Sequence, residues 1–276
     1  MKILVCIKRV ADPDNANKVK IAGGGESVTS EGLEWKVNPF DEYAIEAALR
    51  LNENGATKEA FGETVVVSVA PTDAEQQIRY CLAMGANRGI LIDASDDEID
   101  ASVVAAALAK VYEEEQPDLV LLGKQVVDGD SNQVPQMLAE MLGLPQATFA
   151  ATISIPAAGG EVTVQREVDG GIAIEKATLP AIVSVDLRVV APEAVKNGVT
   201  PADKKYEEGP RYASLKGIMM AKKKPIEKKT LDDLGVSPER RISYLRFELP
   251  PAREAGVKVA SVEELMDKLR NEAKVI

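Results

Sequence analysis

The stretch Leu119-Val120-Leu121-Leu122-Gly123-Lys124-Gln125-Val126-Val127-Asp128-Gly129-Asp130-Ser131-Asn132-Gln133-Val134 decides the reading of this chain. It opens as an unbroken apolar run, passes through small and polar residues, and enters a helical pattern carried by Met137, Leu138, Met141 and Leu142. A continuous hydrophobic run marks a strand buried on both faces of a parallel sheet. A helix opening just beyond the carboxyl end of such a strand aims free backbone N–H groups and a positive dipole end at whatever lies there, which makes the loop a candidate anion site. Gly129 is expected to let the backbone approach a ligand closely, and Asp130 or Ser131 to cap the helix. The same pattern also describes a capped strand-to-helix connection without a ligand, and the loop alone leaves both readings open.

Three earlier apolar runs, at residues 3–7, 64–69 and 89–92, alternate with helical patterns. That alternation predicts a parallel α/β sheet with right-handed crossovers. The first helix is announced by Asn38 as cap, Pro39 at the first helical position and Asp41 and Glu42 in the first turn, with Ile45, Ala48 and Leu49 as its inward stripe. Thr72-Asp73-Ala74-Glu75 reads as a capping box opening a second helix that buries Ile78, Cys81 and Leu82 and ends at Gly85. A third helix is expected over about 101–115. The acidic run 93–100 reads as a solvated loop, because it lacks the glycine and terminal glutamate of a calcium loop.

Composition narrows the function. At 276 residues, with 45% apolar and 28% charged residues, the chain has the make-up of a soluble globular protein of one large or two modest domains. Against 33 basic residues stand 44 acidic ones, a net charge of −11 that repels phosphate backbones and argues against general nucleic-acid binding. The lysines between 222 and 229 are a local exception. No run approaches the length of a spanning helix, and the first residues are too tightly bracketed by charge for a signal peptide, so a cytoplasmic location without membrane insertion is expected. There is no histidine. This removes the Ser-His-Asp and Cys-His arrangements, the common zinc sites and the usual general base, so side-chain catalysis is not expected. Cys6 and Cys81 lack the spacing of a metal or dithiol motif and read as reduced packing residues.

After Pro145 the pattern changes to short alternating strands near 152–155, 161–167 and 171–176, with turns at Ala158-Gly159-Gly160 and Asp169-Gly170-Gly171. These predict antiparallel pairing, and a further strand follows at 181–187. Residues 190–210 are polar, contain Pro192 and Pro201 and show no apolar period, the mark of a functional or disordered loop. Nothing from 211 to 251 predicts a core. A last helix, capped by Ser261 with Glu264 three residues on, presents Val262, Leu265, Met266 and Leu269 on one face. The expected fold is α/β: a parallel Rossmann-like sheet flanked by helices, with added antiparallel strands and an extended C-terminal arm.

Several segments, in order, resemble the β subunit of electron-transfer flavoproteins. They are Asn38-Pro39-Phe40 with Glu42-Tyr43-Ala44-Ile45-Glu46, then Leu82-Ala83-Met84-Gly85-Ala86, and the opening loop with Leu122-Gly123-Lys124-Gln125 and Asn132-Gln133. Further on come Arg166-Glu167-Val168-Asp169-Gly170-Gly171, Leu179-Pro180-Ala181, and Pro210-Arg211-Tyr212-Ala213-Ser214-Leu215 leading into Ile218-Met219. The resemblance implies a heterodimer whose larger α subunit carries most of a redox-active FAD, while the β subunit completes the flavin pocket and holds a structural AMP. Electrons would arrive from acyl-CoA dehydrogenases or their relatives and pass to a downstream acceptor. Carried over residue by residue, the AMP pocket comprises Cys6, Asn38, Pro39, Phe40, Asp41, Val69 and the loop Gly123, Lys124, Gln125, Val126, Val127, Asp128, Gly129, Asp130, Ser131, Asn132, Gln133 and Val134. Phe40 also matches the aromatic that faces the flavin. These positions fall at strand carboxyl ends or helix starts, where open α/β sheets bind ligands.

The resemblance further implies a partner-recognition segment at Arg211, Tyr212, Leu215, Ile218 and Met219, in which Leu215 inserts into an apolar pocket of the dehydrogenase. Lys222, Lys223 and Lys224 would add electrostatic steering. It divides the chain into residues 1–190, an adenine-nucleotide-binding domain with an antiparallel extension, and residues 191–276, an inserted loop, recognition segment and arm docked on the α subunit. Three departures stand out: residues 189–209 form an insertion, Met220 stands where many relatives have lysine, and Asp128-Gly129-Asp130 resembles flavin-bifurcating relatives that hold a second FAD in place of AMP. Outside the family, a stand-alone adenine-nucleotide-binding regulatory α/β protein would share the loop. An ATP-pyrophosphatase-like enzyme would need a Ser-Gly-Gly-x-Asp-Ser loop, and Gly23-Gly24-Gly25 lacks those neighbours.

Overall fold

The computed structural model describes residues 1–29, 32–251 and 255–276. The chain begins with β1 (Lys2–Cys6), β2 (Arg9–Ala11), β3 (Ile21–Ala22), β4 (Ser27–Val28) and β5 (Trp35–Val37), then enters α1 (Pro39–Leu51). The expected alternation follows in β6 (Glu63–Ala70), α2 (Glu75–Met84), β7 (Arg88–Asp93), α3 (Ala101–Glu115), β8 (Leu119–Gly123) and α4 (Val134–Leu142). Next come β9 (Gln146–Ala150), β10 (Thr152–Ser154), β11 (Glu161–Val168), β12 (Gly171–Thr178) and β13 (Ala181–Val185). The remainder is β14 (Val195–Lys196), α5 (Leu215–Ala221), β15 (Ile226–Thr230) and α6 (Val262–Asp267).

Seven strands form one sheet in the order β15-β7-β6-β1-β8-β13-β9, and every pairing in it is parallel. Side chains alternate across a strand, so an unbroken apolar run requires a core on each face. Both cores are present. Ile3, Val5, Leu119 and Leu121 pack with Ile45, Ala48, Ile78 and Leu82 from α1 and α2, whereas Leu4, Cys6, Val120 and Leu122 pack with Val103, Leu108 and Leu138 from α3 and α4. Cys6 and Cys81 are free, buried thiols within these cores.

A second sheet runs β12-β11-β10-β14. Its first three strands pair antiparallel, as their alternating pattern predicts. The run after Pro180 instead joins the main sheet, where β13 lies parallel between β8 and β9. Neither β9 nor β15 was expected. Only five residues long, Gln146-Ala147-Thr148-Phe149-Ala150 offers little pattern, and Ile226-Glu227-Lys228-Lys229-Thr230 is mostly charged because it is an edge strand with one side in water. The segment after Arg211 therefore has its own place in the core: Leu231, Leu234 and Val236 are buried beneath β15.

Residues 190–210 are another correction, for they are packed rather than loose. Arg50, only 1% exposed, donates through Nε to Glu46 Oε1 at 2.7 Å. Its Nη1 donates to the carbonyls of Val190 and Ala191 at 3.1 and 2.9 Å, and its Nη2 to those of Glu207 and Gly209 at 2.8 and 3.0 Å. All five guanidinium donors are thus satisfied. Asn197 Nδ2 meets the carbonyls of Arg50, Leu51 and Glu53 at 2.9, 3.3 and 2.7 Å, closing the carboxyl end of α1. A segment held by polar bonds to backbone has no hydrophobic period to read.

The helix caps differ from expectation in three places. α4 starts three residues beyond Ser131, with Gln133 before it and no side-chain cap, so neither Asp130 nor Ser131 serves. Thr72–Ala74 forms a 3-10 turn, and Glu75 pairs with Arg79 and Lys228 instead of closing a capping box. Asn38 precedes α1, yet its side chain makes no cap bond. Ser261 does cap α6, accepting from the Glu264 amide at 3.2 Å.

One compact unit contains Met1–Val19 and continues from Ser30 to Tyr244 without a break in packing at residue 190; a second combines Lys20–Thr29 with Leu245–Ile276. Within the second unit the Phe247 amide donates to the Gly25 carbonyl at 2.8 Å, and Val262, Leu265 and Met266 of α6 are exposed. Among the described residues no helix is long and apolar enough to cross a membrane. Arg50→Ala should lower stability by roughly 3–5 kcal/mol, the range for removing one member of a buried ion pair. Urea titration of the variant beside the parent checks this, with an unchanged slope expected.

Candidate functional site

Strand order creates a crevice. From β1 the chain moves to β6 and β7 on one side, then returns through α3 to β8 on the other, so the direction of winding reverses between β1 and β8. Open α/β sheets bind ligands at the carboxyl edge of such a switch point. Here its walls are the turn after β1, the first turn of α1 and the loop that follows β8.

Two buried side chains join those walls. Asn38 Nδ2 donates to the Gln125 carbonyl at 2.9 Å, and Asn38 Oδ1 accepts from the Val127 amide at 3.2 Å. Asp41 Oδ2 accepts from the Lys8 amide at 2.8 Å, and Oδ1 from the Gly123 amide at 3.0 Å. That approach explains Gly123, since a Cβ there would collide with Asp41 Oδ1 and the backbone of Phe40. Asn38 is therefore not a helix cap, because its carboxamide is committed to the loop.

The loop closes on itself, with the Val126 amide donating to the Ser131 carbonyl at 3.1 Å and the Asp130 amide to the Val126 carbonyl at 2.8 Å. Asp130, at φ 50°, takes the left-handed conformation that favours glycine. A Cβ on Gly129 would meet no atom within 4 Å, so that residue lies on the open side. The charged side chains are paired. Lys8 Nζ reaches Asp128 Oδ2 at 2.7 Å, Gln125 Nε2 reaches Asp130 Oδ1 at 2.9 Å, and Lys124 Nζ reaches Asp186 Oδ2 at 2.7 Å while lying 5.1 Å from the Phe40 ring centre. Among the described residues nothing accepts from the amides of Asn132, Gln133 and Val134 at the start of α4. The crevice thus offers backbone donors without a free carboxylate of the loop beside them.

Cys6 and Val69 are buried near the carboxyl ends of β1 and β6. Burial, with the Asp41 charge nearby, pushes the Cys6 thiol far up, so it is no nucleophile. Burial also pushes Asp41 up to about 7, against the lowering effect of the Lys8 amide, Asn38 and the Gly123 amide. The fold therefore gathers Cys6, Asn38, Pro39, Phe40, Asp41, Val69 and the 123–134 loop at one edge of the sheet. Lys8 and Asp186 belong with them and were not anticipated. Asp186 was legible as a charge ending an apolar run at a strand's carboxyl end.

The second group of candidates lies elsewhere, on the α1–α2 face. Arg211 points inward to Glu46 and Glu53, whereas Tyr212, Leu215, Ile218 and Met219 are exposed. Lys224 does not share the expected steering role. Its Nζ donates to the carbonyls of Leu82 and Ala86 at 2.9 and 2.5 Å, which closes the carboxyl end of α2.

Fold and crevice define a doubly wound α/β protein with a crevice at the switch point of its sheet, where open α/β sheets bind ligands. Residues 27–234 match the model of the electron transfer flavoprotein domain. The chain is 47% identical over 276 residues to the electron transfer flavoprotein subunit beta of Bradyrhizobium diazoefficiens, covering 100% of both chains. The mitochondrial subunit beta of Arabidopsis thaliana is 41% identical over 276 residues, again with 100% of both covered. The Homo sapiens subunit beta is 40% identical over 273 residues, covering 98% of this chain and 97% of its own. The chain belongs to the electron transfer flavoprotein β-subunit family, a family of electron carriers.

Asp41 gives the site a pH signature. Its folded-state value of about 7 lies above the unfolded carboxylate value of about 4, so folding favours the neutral form. That contribution is complete below the unfolded value and is lost as pH rises through the folded one. Between about pH 5 and about pH 7 the protein should lose up to about 1.4 kcal/mol of stability per pH unit relative to Asp41→Asn. Urea midpoints of both proteins across that range measure the difference.

Proposed function

We propose that this chain is the β subunit of a heterodimeric electron-transfer flavoprotein, holding a structural AMP and completing the FAD site of an α subunit. In this reading it passes electrons from acyl-CoA-type dehydrogenases to a downstream acceptor and has no side-chain catalysis of its own. The observation that carries the proposal is the crevice in which Asn38 and Asp41 fix the 123–127 backbone while the amides opening α4 stay free.

These residues fit a nucleotide monophosphate. The phosphate would meet the amides of Asn132, Gln133 and Val134, a favourable position by dipole and hydrogen bonding. Asp128 and Asp130 would oppose it less than free carboxylates, because Lys8 and Gln125 already engage them. Cys6 and Val69 supply apolar surface, and Phe40 presents a half-buried ring to the flavin side. When bound, FAD supplies the electron-accepting chemistry. What this chain contributes is orientation of the bound groups and exclusion of water.

The exposed residues Tyr212, Leu215, Ile218 and Met219 form the surface that meets the dehydrogenase in this proposal, with Lys222 and Lys223 steering the encounter. The apolar residues of α6 serve the α subunit. A single buried leucine contributes roughly 1.5–3 kcal/mol, enough to orient a transient complex.

Denaturing the purified heterodimer and weighing the released small molecules should yield one FAD and one AMP. Two FAD and no AMP would indicate the bifurcating type, and no nucleotide at all would remove the site assignment. Leu215→Ala should raise the dehydrogenase's KM for the carrier at least roughly tenfold, with nucleotide content and assembly unchanged. Steady-state assays across salt concentrations measure that effect.

A further inference from the structure

Tyr212 and Leu215 are 93% and 82% exposed, yet the backbone beneath them is tied at both ends. On the near side Arg211 turns away from the solvent. Its Nε donates to Glu46 Oε2 at 2.7 Å and its Nη2 to Glu46 Oε1 at 3.2 Å. Nη1 and Nη2 also reach Glu53 Oε2 and Oε1 at 2.8 and 2.9 Å, and the Arg211 amide itself donates to Glu46 Oε2 at 3.1 Å. Both carboxylates are buried; Glu46 lies within α1 and Glu53 just past its end.

On the far side, Gly217 lies against the Ala83 carbonyl so closely that a Cβ would not fit. Arg79 Nη1 donates to the carbonyls of Ala221 and Lys224 at 2.8 and 2.6 Å, and Ser214 caps α5 by accepting from the Gly217 amide at 3.0 Å. Between the two ties only Tyr212, Ala213 and Ser214 lie outside regular structure.

We propose that Arg211 is a positioning residue for docking: by gripping Glu46 and Glu53 it holds residues 212–219 in the docking conformation before a partner arrives, and it does not touch the partner itself. The inference rests on the reading of residues 212–219 as the docking surface. An exposed apolar segment left free would surrender its conformational freedom on docking, whereas a segment fixed in advance does not. Arginine suits the task because its planar fork serves two carboxylates at once, which a lysine point charge does not. The electrostatics agree: burial alone would raise Glu46, but Arg211 and Arg50 hold it below the ordinary carboxylate range.

The test uses the assembled heterodimer and an acyl-CoA dehydrogenase as donor, with Arg211→Lys, Glu53→Gln and Leu215→Ala compared by steady-state kinetics and amide hydrogen exchange. Arg211→Lys and Glu53→Gln should each raise the KM for the carrier roughly five- to tenfold with kcat retained, and should speed exchange across 212–219 while protection in α1 and β8 holds. Leu215→Ala should raise KM without changing exchange. If Leu215→Ala raises KM but Arg211→Lys and Glu53→Gln leave it at the parent value, the positioning role is wrong, whether or not exchange quickens. If Leu215→Ala leaves KM unchanged, the docking surface itself is wrong and this inference falls with it. Should Arg211→Lys fail to assemble, Glu53→Gln decides between the same outcomes.

Discussion

The carboxyl edge of the sheet depends on two buried polar groups in one turn of chain. Asn38 carries a donor and an acceptor, and it finds a carbonyl at Gln125 and an amide at Val127. Asp41 accepts through both of its oxygens, and it finds two amides, at Lys8 and Gly123. A buried polar group without a partner is heavily penalised. Neither group can be satisfied unless the end of β1, the end of β8 and the start of α1 meet in this arrangement. The crevice is thus a condition of burying that turn, rather than a feature added to a finished fold.

A second buried polar system begins on the same helix. Arg50 of α1, itself donating to Glu46, draws in the carbonyls of Val190, Ala191, Glu207 and Gly209, and Glu46 with Glu53 binds Arg211. Small residues at Ala44, Ala47 and Ala48 let α1 lie close on the sheet. The first turn of the helix therefore organises the switch point, and its later turns organise the polar segment and the exposed apolar surface beyond it. Both regions take their geometry from one rigid element.

What could be read in the sequence follows from what holds each part. The strands β1, β6, β7 and β8 are held by apolar burial on two faces, and their runs were plain; α3 was legible at its full extent from its alanine-rich pattern, and its Asp100 cap emerges only in the structure. Residues 190–210 are held by hydrogen bonds to backbone, which no hydrophobic pattern records. Asn38 and Asp130 misled for a related reason. A side chain's choice between a local cap and a distant carbonyl is made by tertiary contact, and Asp130 takes a left-handed backbone beside a glycine that did not need it. The positions at the crevice were legible as strand ends and helix starts, while Lys8, and the pairing of Asp186 with Lys124, depended on strand order, which one sequence does not display.

β15 bears on the molecule's dealings with other chains. A parallel sheet leaves a row of unpaired N–H and C=O groups at each margin, a template on which a foreign strand can grow. Here one margin is filled by Ile226–Thr230, where Ile226 packs inward and Glu227, Lys228 and Lys229 follow in succession. Lys228 is paired with Glu75 at 2.8 Å, and Lys229 with Glu114. Another strand arriving at that margin would have to strip water from these charges and displace their partners. The lysine-rich stretch, so unlike a strand when read as sequence, acts as the gatekeeper that keeps the sheet from templating aggregates.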